Sequence, residues 1–301
     1  MAYLVAESPD TLQDLCLGYI AGNIISSSSD SGLVRHNSTG SSDSLILQRS
    51  LKSSHETFLH NSIADQLISR MSACRTLCDE IIDLFQSNRT CLRNVVVRRT
   101  PVTAAGLRVL RSHKLQSLVI EPQDSKQYTV TDIICVLNEW TVSNLRSLSL
   151  TGVNFGRGGG PPVIVSLCAL RNLRSLDISR TDFNDNMLNI IVNDLPLLVN
   201  LDISSTLVRD VTSLSKCRTR LQQLLMHNVR LGDSSSTDVL RSMSALRVLD
   251  ISSDLPSSSF TTLKMSSVTA ESILLDGSEF NDLVSLDISG SQNLSLDLLR
   301  Y

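Results

Sequence analysis

The chain has 301 residues, a formal net charge of −3 and only 4% aromatic residues. This charge favours neither nucleic acid nor an anionic membrane as a partner, and no apolar run approaches the roughly 20 residues that cross a bilayer. The first ten residues lack the basic and apolar regions of a secretory signal. The seven cysteines are an odd number without paired spacing, which is typical of reduced thiols in a cytoplasmic or nuclear protein.

The first predicted element is a short amphipathic helix within residues 1–23, in the stretch SPDTLQDLCLGYI. Ser8 suits the N-cap and Pro9 the first helical position. An apolar stripe follows at helical spacing, formed by Leu12, Leu15, Cys16, Tyr19 and Ile20. A helix of about 14 residues is marginal alone in water, so it must dock. Its target is either this chain's own repeats or another protein.

A Ser-rich segment and a second helical region come next. Residues 24–57 lack apolar periodicity, which predicts a flexible loop. Residues 58–91 are predicted to be helical, because Leu59, Ile63, Leu67 and Met71 recur at four-residue steps. Cys74 and Cys78 would share a helix face in this region, but a zinc site is not expected without further ligands. No metal or cofactor is predicted anywhere in the chain.

Residues 92–301 carry a repeated frame of the form Leu-x-x-Leu-x-Leu, with Ile, Val or Met allowed at the apolar places. The frame occurs eight times at intervals of 23 to 37 residues, starting at 92, 115, 145, 173, 198, 221, 246 and 283. Most of these intervals match the repeat length of leucine-rich repeats. The predicted fold class is therefore α/β, a leucine-rich-repeat solenoid of parallel strands and helices preceded by a small helical region.

Each frame predicts one short strand whose first, fourth and sixth residues face the core. After the strand the chain must turn, and Thr100, Thr181 and Thr206 have hydroxyls suited to bond that turn. Residues 183–196 have helical spacing before Pro196, so a helix is predicted between strands. The glycine-rich stretch 156–163 lacks a Gly-Lys-Ser/Thr ending and contains two prolines, which favours a surface loop over a phosphate cradle.

The fifth position of the frame predicts a row of side chains on the concave face of the solenoid. Its members are Asp177, Asp202, Leu225, Asp250 and Asp287. One interpretation is an acidic stripe that binds a basic partner. The alternative is that solvated aspartates only keep the sheet soluble, and we favour this second interpretation.

Two short patterns ahead of the repeats resemble boxes of ubiquitin-ligase substrate receptors. Thr11 followed by Leu12-x-x-x-Cys16-x-x-x-Ile20 is similar to an elongin-binding box, and Leu59-His60-x-x-Ile63-x-x-x-Leu67 resembles the adjoining cullin-two box. Together with the repeats, they make nearly the whole chain resemble the Zyg-eleven family, including its Zer-one relatives.

The resemblance implies an assembly with elongin C, which brings elongin B, and with cullin-two. Leu12, Leu15, Cys16 and Ile20 would contact elongin C, and Leu59, Ile63 and Leu67 would contact cullin-two. In the family, N-terminal glycine degrons are recognised by a further armadillo-like domain. No residue of this sequence matches that domain, so no substrate pocket is assigned and the protein substrate stays unknown.

The sequence therefore predicts a non-catalytic adaptor of a cullin-two ubiquitin ligase. The alternative is a leucine-rich-repeat scaffold without a ligase partner, whose first helix only covers the repeats. An F-box receptor is a weaker alternative because no F-box precedes the repeats. An enzyme is not expected, because the sequence has no Gly-x-Ser-x-Gly, no His-x-x-x-His pair and no dinucleotide fingerprint.

Overall fold

The computed structural model describes residues 59–156, 161–229, 231, 236, 239–240 and 242–250, together with the backbone of 285–287. The predicted N-terminal helix with Leu12, Leu15, Cys16 and Ile20 lies outside the described residues. So do the Ser-rich segment 24–57 and residues 157–160 of the glycine-rich stretch. Within the described residues, no helix is long and apolar enough to cross a bilayer.

The described residues form a parallel sheet whose strands follow one another in chain order from β1 to β8. The strands are β1 (Asn94–Arg98), β2 (Ser117–Glu121), β3 (Ser147–Ser149), β4 (Ser175–Asp177), β5 (Asn200–Asp202), β6 (Gln223–Leu225), β7 (Val248–Asp250) and β8 (Ser285–Asp287). Each strand coincides with one predicted frame, and the same frame position aligns across neighbouring strands. This consecutive order is that of a leucine-rich-repeat solenoid, so the predicted fold is confirmed.

The inward-facing positions of the frame are buried as predicted. In the fourth frame Leu173, Leu176 and Ile178 are at most 1% exposed. The equivalent residues of the neighbouring repeats join the same hydrophobic core, which continues into the helical region before β1. No single repeat could bury this apolar surface alone, so the stacked repeats stabilise one another.

The chain leaves most strands through a left-handed residue at the eighth frame position. The residues with positive φ at this position are Arg99, Gly152, Arg180, Ser205 and Asn228. At the next position, the hydroxyls of Thr181 and Thr206 donate to the carbonyls of Ile178 (2.7 Å) and Ile203 (2.6 Å), as predicted. The Thr100 hydroxyl is buried and finds no partner among the described residues, so the prediction fails there.

The connections between strands are α-helical in only some repeats. The helices are α3 (Val130–Ile134), α4 (Glu139–Asn144), α5 (Pro161–Cys168) and α6 (Asp185–Asp194). α6 confirms the helix predicted within 183–196, and its cap is the Asn184 side chain. Two connections form only 3₁₀ turns, at Gly106–Ser112 and Thr212–Cys217. Both belong to the 23-residue repeats, which leave less chain for a helix.

A helical cap precedes the first strand and consists of α1 (Asn61–Ala73), α2 (Asp79–Ile82) and a 3₁₀ turn (Asp83–Phe85). α1 begins after His60, so the predicted helical run from Leu59 starts two residues too early. Leu59 instead forms an isolated parallel bridge with Thr90. Leu67 and Met71 are buried in the common core, so the cap and the repeats share one hydrophobic interior.

The prediction that Cys74 and Cys78 share a helix face is also wrong. α1 ends at Ala73, and Arg75 adopts a left-handed conformation with φ of 57°. The N–H groups of Arg75 and Thr76 return to the carbonyls of Ser72 and Met71, each at 2.9 Å. This is the hydrogen-bond pattern of a Schellman motif, with Arg in the place usually taken by Gly. Cys78 is the N-cap of the next helix.

Candidate protein-interaction face

The sheet has one face packed into the core and one open face formed by the third and fifth frame positions. Along β4 to β7 the middle residue of each strand is buried and both neighbours are partly exposed. Parallel sheets usually have both faces covered, whereas solenoids use an open face for binding. We therefore take these two rows of side chains, the open face, as the candidate site.

The predicted row at the fifth position is placed in register on neighbouring strands. Asp177 pairs with Asp202, Asp202 with Leu225, and Leu225 with Asp250. The backbone of Asp287 continues the row beside Asp250. Because neighbouring strands lie about 4.8 Å apart, Asp177 and Asp202 form a close pair of carboxylates. The structure thus brings the predicted acidic residues together, with Leu225 interrupting them.

Asp177 is held in a network of hydroxyl groups. The hydroxyls of Ser149 and Thr151 donate to its Oδ2 at 2.7 and 2.8 Å. The Ser179 hydroxyl and backbone N–H donate to Oδ1 at 2.7 and 3.0 Å. Four donors from three residues thus fix the Asp177 carboxylate within the chain, and the choice between an acidic stripe that binds a partner and aspartates that keep the sheet soluble stays a prediction.

Asp202 lies next to this network, and its negative charge is in a less favourable environment than that of Asp177. Burial raises the pKa of its carboxyl group above the usual value, and the negative charges of Asp177 and Asp250 raise it further. Hydrogen bonds from the hydroxyl and the backbone N–H of Ser204 act in the opposite direction without cancelling this effect. A cationic group of a partner placed over β4 and β5 would relieve this repulsion.

Sequence reasoning missed the hydroxyl residues around Asp177. Ser149 stands at the fifth position of the third frame, and Thr151 and Ser179 stand at the seventh position of consecutive frames. The available signal was the succession of small polar residues after two neighbouring strands. This succession indicates a hydrogen-bond network around Asp177 only once the register places β3 beside β4.

The three residues assigned to cullin-two differ in accessibility. Ile63 is 38% exposed, Leu59 is half-buried against the core, and Leu67 is only 1% exposed. Ile63 shares the outer side of α1 with exposed polar residues such as Ser62 and Ser69. The binding role of these residues stays a prediction, but only Ile63 offers an exposed apolar side chain.

The buried titratable groups serve the core. Burial raises the pKa of the Cys168 thiol to about 12 and also raises that of Cys217, which makes both thiols poor nucleophiles. Burial lowers the pKa of His113, whose Nδ1 accepts the N–H of Leu92 at 3.2 Å. Over the described ranges, no three His, Cys, Asp or Glu side chains are grouped to hold a metal ion.

No protein-family model matches the chain. A similar protein is Gastrulation-defective protein 3 of Caenorhabditis elegans, which is 28% identical over 173 residues. The match covers 54% of this chain and 24% of that protein, so the chain corresponds to about a quarter of that protein's length.

Solved structures with similarity to this chain include two internalins of Listeria monocytogenes. Internalin C2 has a TM-score of 0.44 at 17% identity and covers 74% of this chain and 79% of that one. The internalin inlF has a TM-score of 0.41 at 16% identity and covers 77% and 74%. The complex of Rad7 and Elc1 in yeast has a TM-score of 0.32 at 16% identity and covers 97% and 96%. The fold assignment rests on the strand order of the chain itself.

Proposed function

We propose that the chain is a non-catalytic protein-interaction subunit, a substrate receptor that links elongin B/C and cullin-two to a protein substrate for ubiquitination. The observation that carries the interaction role is the open face, which is continuous over the described strands. Its groups are mostly polar side chains in fixed register with apolar residues such as Leu225 among them, which suits recognition of a protein surface better than chemistry on a small molecule.

The ligase part of the proposal is supported by the order of the sequence motifs. A box with Leu12, Cys16 and Ile20 precedes a second apolar helix, and leucine-rich repeats follow both. In such an arrangement a short helix inserts a few apolar anchors into a groove of its partner. The transfer chemistry would belong to other subunits, which agrees with the lack of catalytic motifs in the sequence.

Retention of elongin tests the first half of this proposal. The full chain is co-expressed with elongins B and C and compared with Leu12→Ala and Cys16→Ala variants, with circular dichroism as the folding control. We expect stable co-purification by the wild type and its loss in both variants, because the anchors provide most of the binding energy. Failure of the wild type to retain elongin would overturn the ligase role.

Recruitment of cullin-two tests the second half. Ile63→Ala removes the exposed apolar side chain of α1, and Ser69→Ala is a matched control at an exposed residue of the same helix. We expect Ile63→Ala to reduce cullin-two binding while elongin stays bound. Equal cullin-two binding by the wild type and both variants would contradict a role for α1 in recruitment.

A scaffold without a ligase partner is the second candidate, and one observation favours it. α1 packs along β1, and its large apolar residues other than Ile63 lie in the common core. A helix with this role is already explained as the cap that a solenoid needs at its first repeat. The elongin experiment separates the two functions, since the scaffold predicts no retention by any variant.

A further inference from the structure

The regular repeat is broken at one residue. Five of the first six frames leave their strand through a left-handed residue at the eighth position, but the second frame has Pro122 there. The proline ring fixes φ near −65°, so the usual turn is impossible. The chain instead makes an excursion through residues 123–127 before it reaches α3.

The excursion is anchored to the preceding repeat. The side-chain amide of Gln127 donates to the carbonyls of Thr100 (2.8 Å) and Val102 (2.6 Å). The Tyr128 hydroxyl also donates to the Val102 carbonyl, and the Tyr128 side chain is only 1% exposed. The excursion through residues 123–127 is therefore firmly attached to the preceding repeat, and we call this segment the wall.

The wall borders a half-open pocket at the carboxyl end of the first four strands. The pocket has a volume of about 360 Å³ and is lined by Arg99, Glu121, Pro122, Thr151, Gly152 and Arg180 among others. We call it the arginine notch. Gly152 lies in its lining with a φ of 72°, a left-handed conformation that favours glycine.

The notch contains two guanidinium groups and one carboxylate. Arg99 Nε lies 2.6 Å from Glu121 Oε1, and Arg180 Nη1 lies 3.8 Å from the same oxygen. The Arg side chains are 48% and 61% exposed. Among the described residues, no acceptor within hydrogen-bond distance is found for the terminal nitrogens of either arginine. The charged residues that line the notch therefore carry one net positive charge and have spare donors, although the Asp177 carboxylate lies next to Thr151 at its edge.

From this geometry we infer that the arginine notch binds one anionic side chain, a carboxylate or a phosphate, carried by a protein segment that lies on the open face. The Thr151 hydroxyl, which donates to Asp177, joins the notch to the acidic row. The inference rests on the proposed interaction function only in taking the anion from a protein partner.

Fluorescence anisotropy with the full chain tests this inference directly. Four fluorescein-labelled ten-residue peptides share one glycine- and alanine-rich sequence and differ in a central phosphoserine, glutamate, serine or lysine. We expect the phosphoserine peptide to bind tightest and the glutamate peptide next, with serine and lysine at least about tenfold weaker than phosphoserine. Whether the phosphoserine or the glutamate peptide binds more tightly shows whether the notch prefers a phosphate or a carboxylate.

Variants separate the notch from general surface charge. Arg180→Gln should weaken phosphoserine binding about tenfold. Glu121→Gln should strengthen it about threefold, because it removes the competing carboxylate. Arg174→Gln is the matched control, since Arg174 is an exposed arginine of the same repeat outside the notch; it should change binding by less than about twofold.

The inference is overturned if all four peptides bind equally, or if Arg174→Gln loses as much affinity as Arg180→Gln. Elongin retention by Arg180→Gln separates this failure from that of the proposed function. Peptide discrimination without elongin retention would leave the notch standing and remove the ligase. Elongin retention without peptide discrimination would remove the notch alone.

Discussion

The Asp65 carboxylate on α1 accepts the backbone N–H of Asn94 on β1 at 3.1 Å, across 29 positions of sequence. It also accepts the N–H of Arg93 at 3.1 Å and the side-chain amide of Asn94 at 3.0 Å. Four residues further along β1, the Ser72 hydroxyl accepts the N–H of Arg98 at 2.8 Å. Side chains of one helix therefore satisfy the edge of the first strand, which would otherwise be a site for pairing with another chain.

Asp65→Ala should lower the free energy of unfolding by about 1–3 kcal/mol, because it removes the charged acceptor of three partly buried hydrogen bonds from Arg93 and Asn94. Urea unfolding followed by circular dichroism measures the change. Glu80→Ala is the control, since Glu80 is exposed on α2, and it should be nearly neutral. Equal stability of wild type and Asp65→Ala would contradict the capping role.

Leu67→Ala should destabilise the protein by about 2–5 kcal/mol, since it opens a cavity in the core. Ile63→Ala on the same helix should cost less than about 1 kcal/mol, because that side chain is 38% exposed. Thermal unfolding of both variants checks the contrast. If Leu67→Ala loses both its thermal unfolding transition and cullin-two binding, the loss of binding reflects unfolding. If the variant stays folded and still loses binding, the placement of Leu67 in the core is contradicted.

Thr181→Val and Thr100→Val form a matched pair at the ninth position of the frame. The Thr181 hydroxyl donates to the Ile178 carbonyl and accepts the N–H of Phe183, so its removal should cost about 1 kcal/mol. The Thr100 hydroxyl is buried without a partner among the described residues, so valine there should be neutral or stabilising. Urea unfolding compares the two, and an equal loss in both would refute this assignment of bonds.

Asp202→Asn should raise stability at pH 7, and the gain should disappear on acidification. The raised pKa means that the folded state holds the Asp202 proton more tightly than the unfolded state does. The carboxyl group therefore favours folding below its unfolded value of about 3.8, and this contribution is lost as pH rises through the folded pKa. Denaturant unfolding of the wild type and of Asp202→Asn, from acidic pH to pH 7, measures the difference in their free energies of unfolding. A variant that is less stable than the wild type at pH 7 would contradict this prediction.

The repeat fold could be predicted because its signal is local and repeated. Leucine or a similar residue at the first, fourth and sixth frame positions specifies one buried side of a strand, whatever its neighbours are. The turn chemistry was predictable for the same reason, and Thr181 and Thr206 use it. Thr100 fails because its hydroxyl has no acceptor in range, a property of the surroundings that the frame does not contain.

The helical region was predicted less well. The apolar spacing of Leu67 and Met71 correctly indicated a helix, but it did not distinguish a surface for a partner from a surface for the chain's own β1. The end of α1 at Ala73 was not predictable, because the left-handed residue after it is Arg75, which gives no signal comparable to that of glycine. The short 3₁₀ connections belong to the two 23-residue repeats. The frame spacing gave this length, but no type of connection was predicted from it.

The sequence by itself determined the number and order of the strands, the inward side of each, and the row of aspartates at the fifth position. These features depend on residues within one repeat, and stacking repeats adds nothing to their specification. Only the tertiary structure decided that Leu67 is buried, that Asp65 caps β1, that hydroxyls hold Asp177, and that Pro122 opens the arginine notch. Each of these features depends on which elements are neighbours in space. The distances between their side chains are fixed only when the chain has packed.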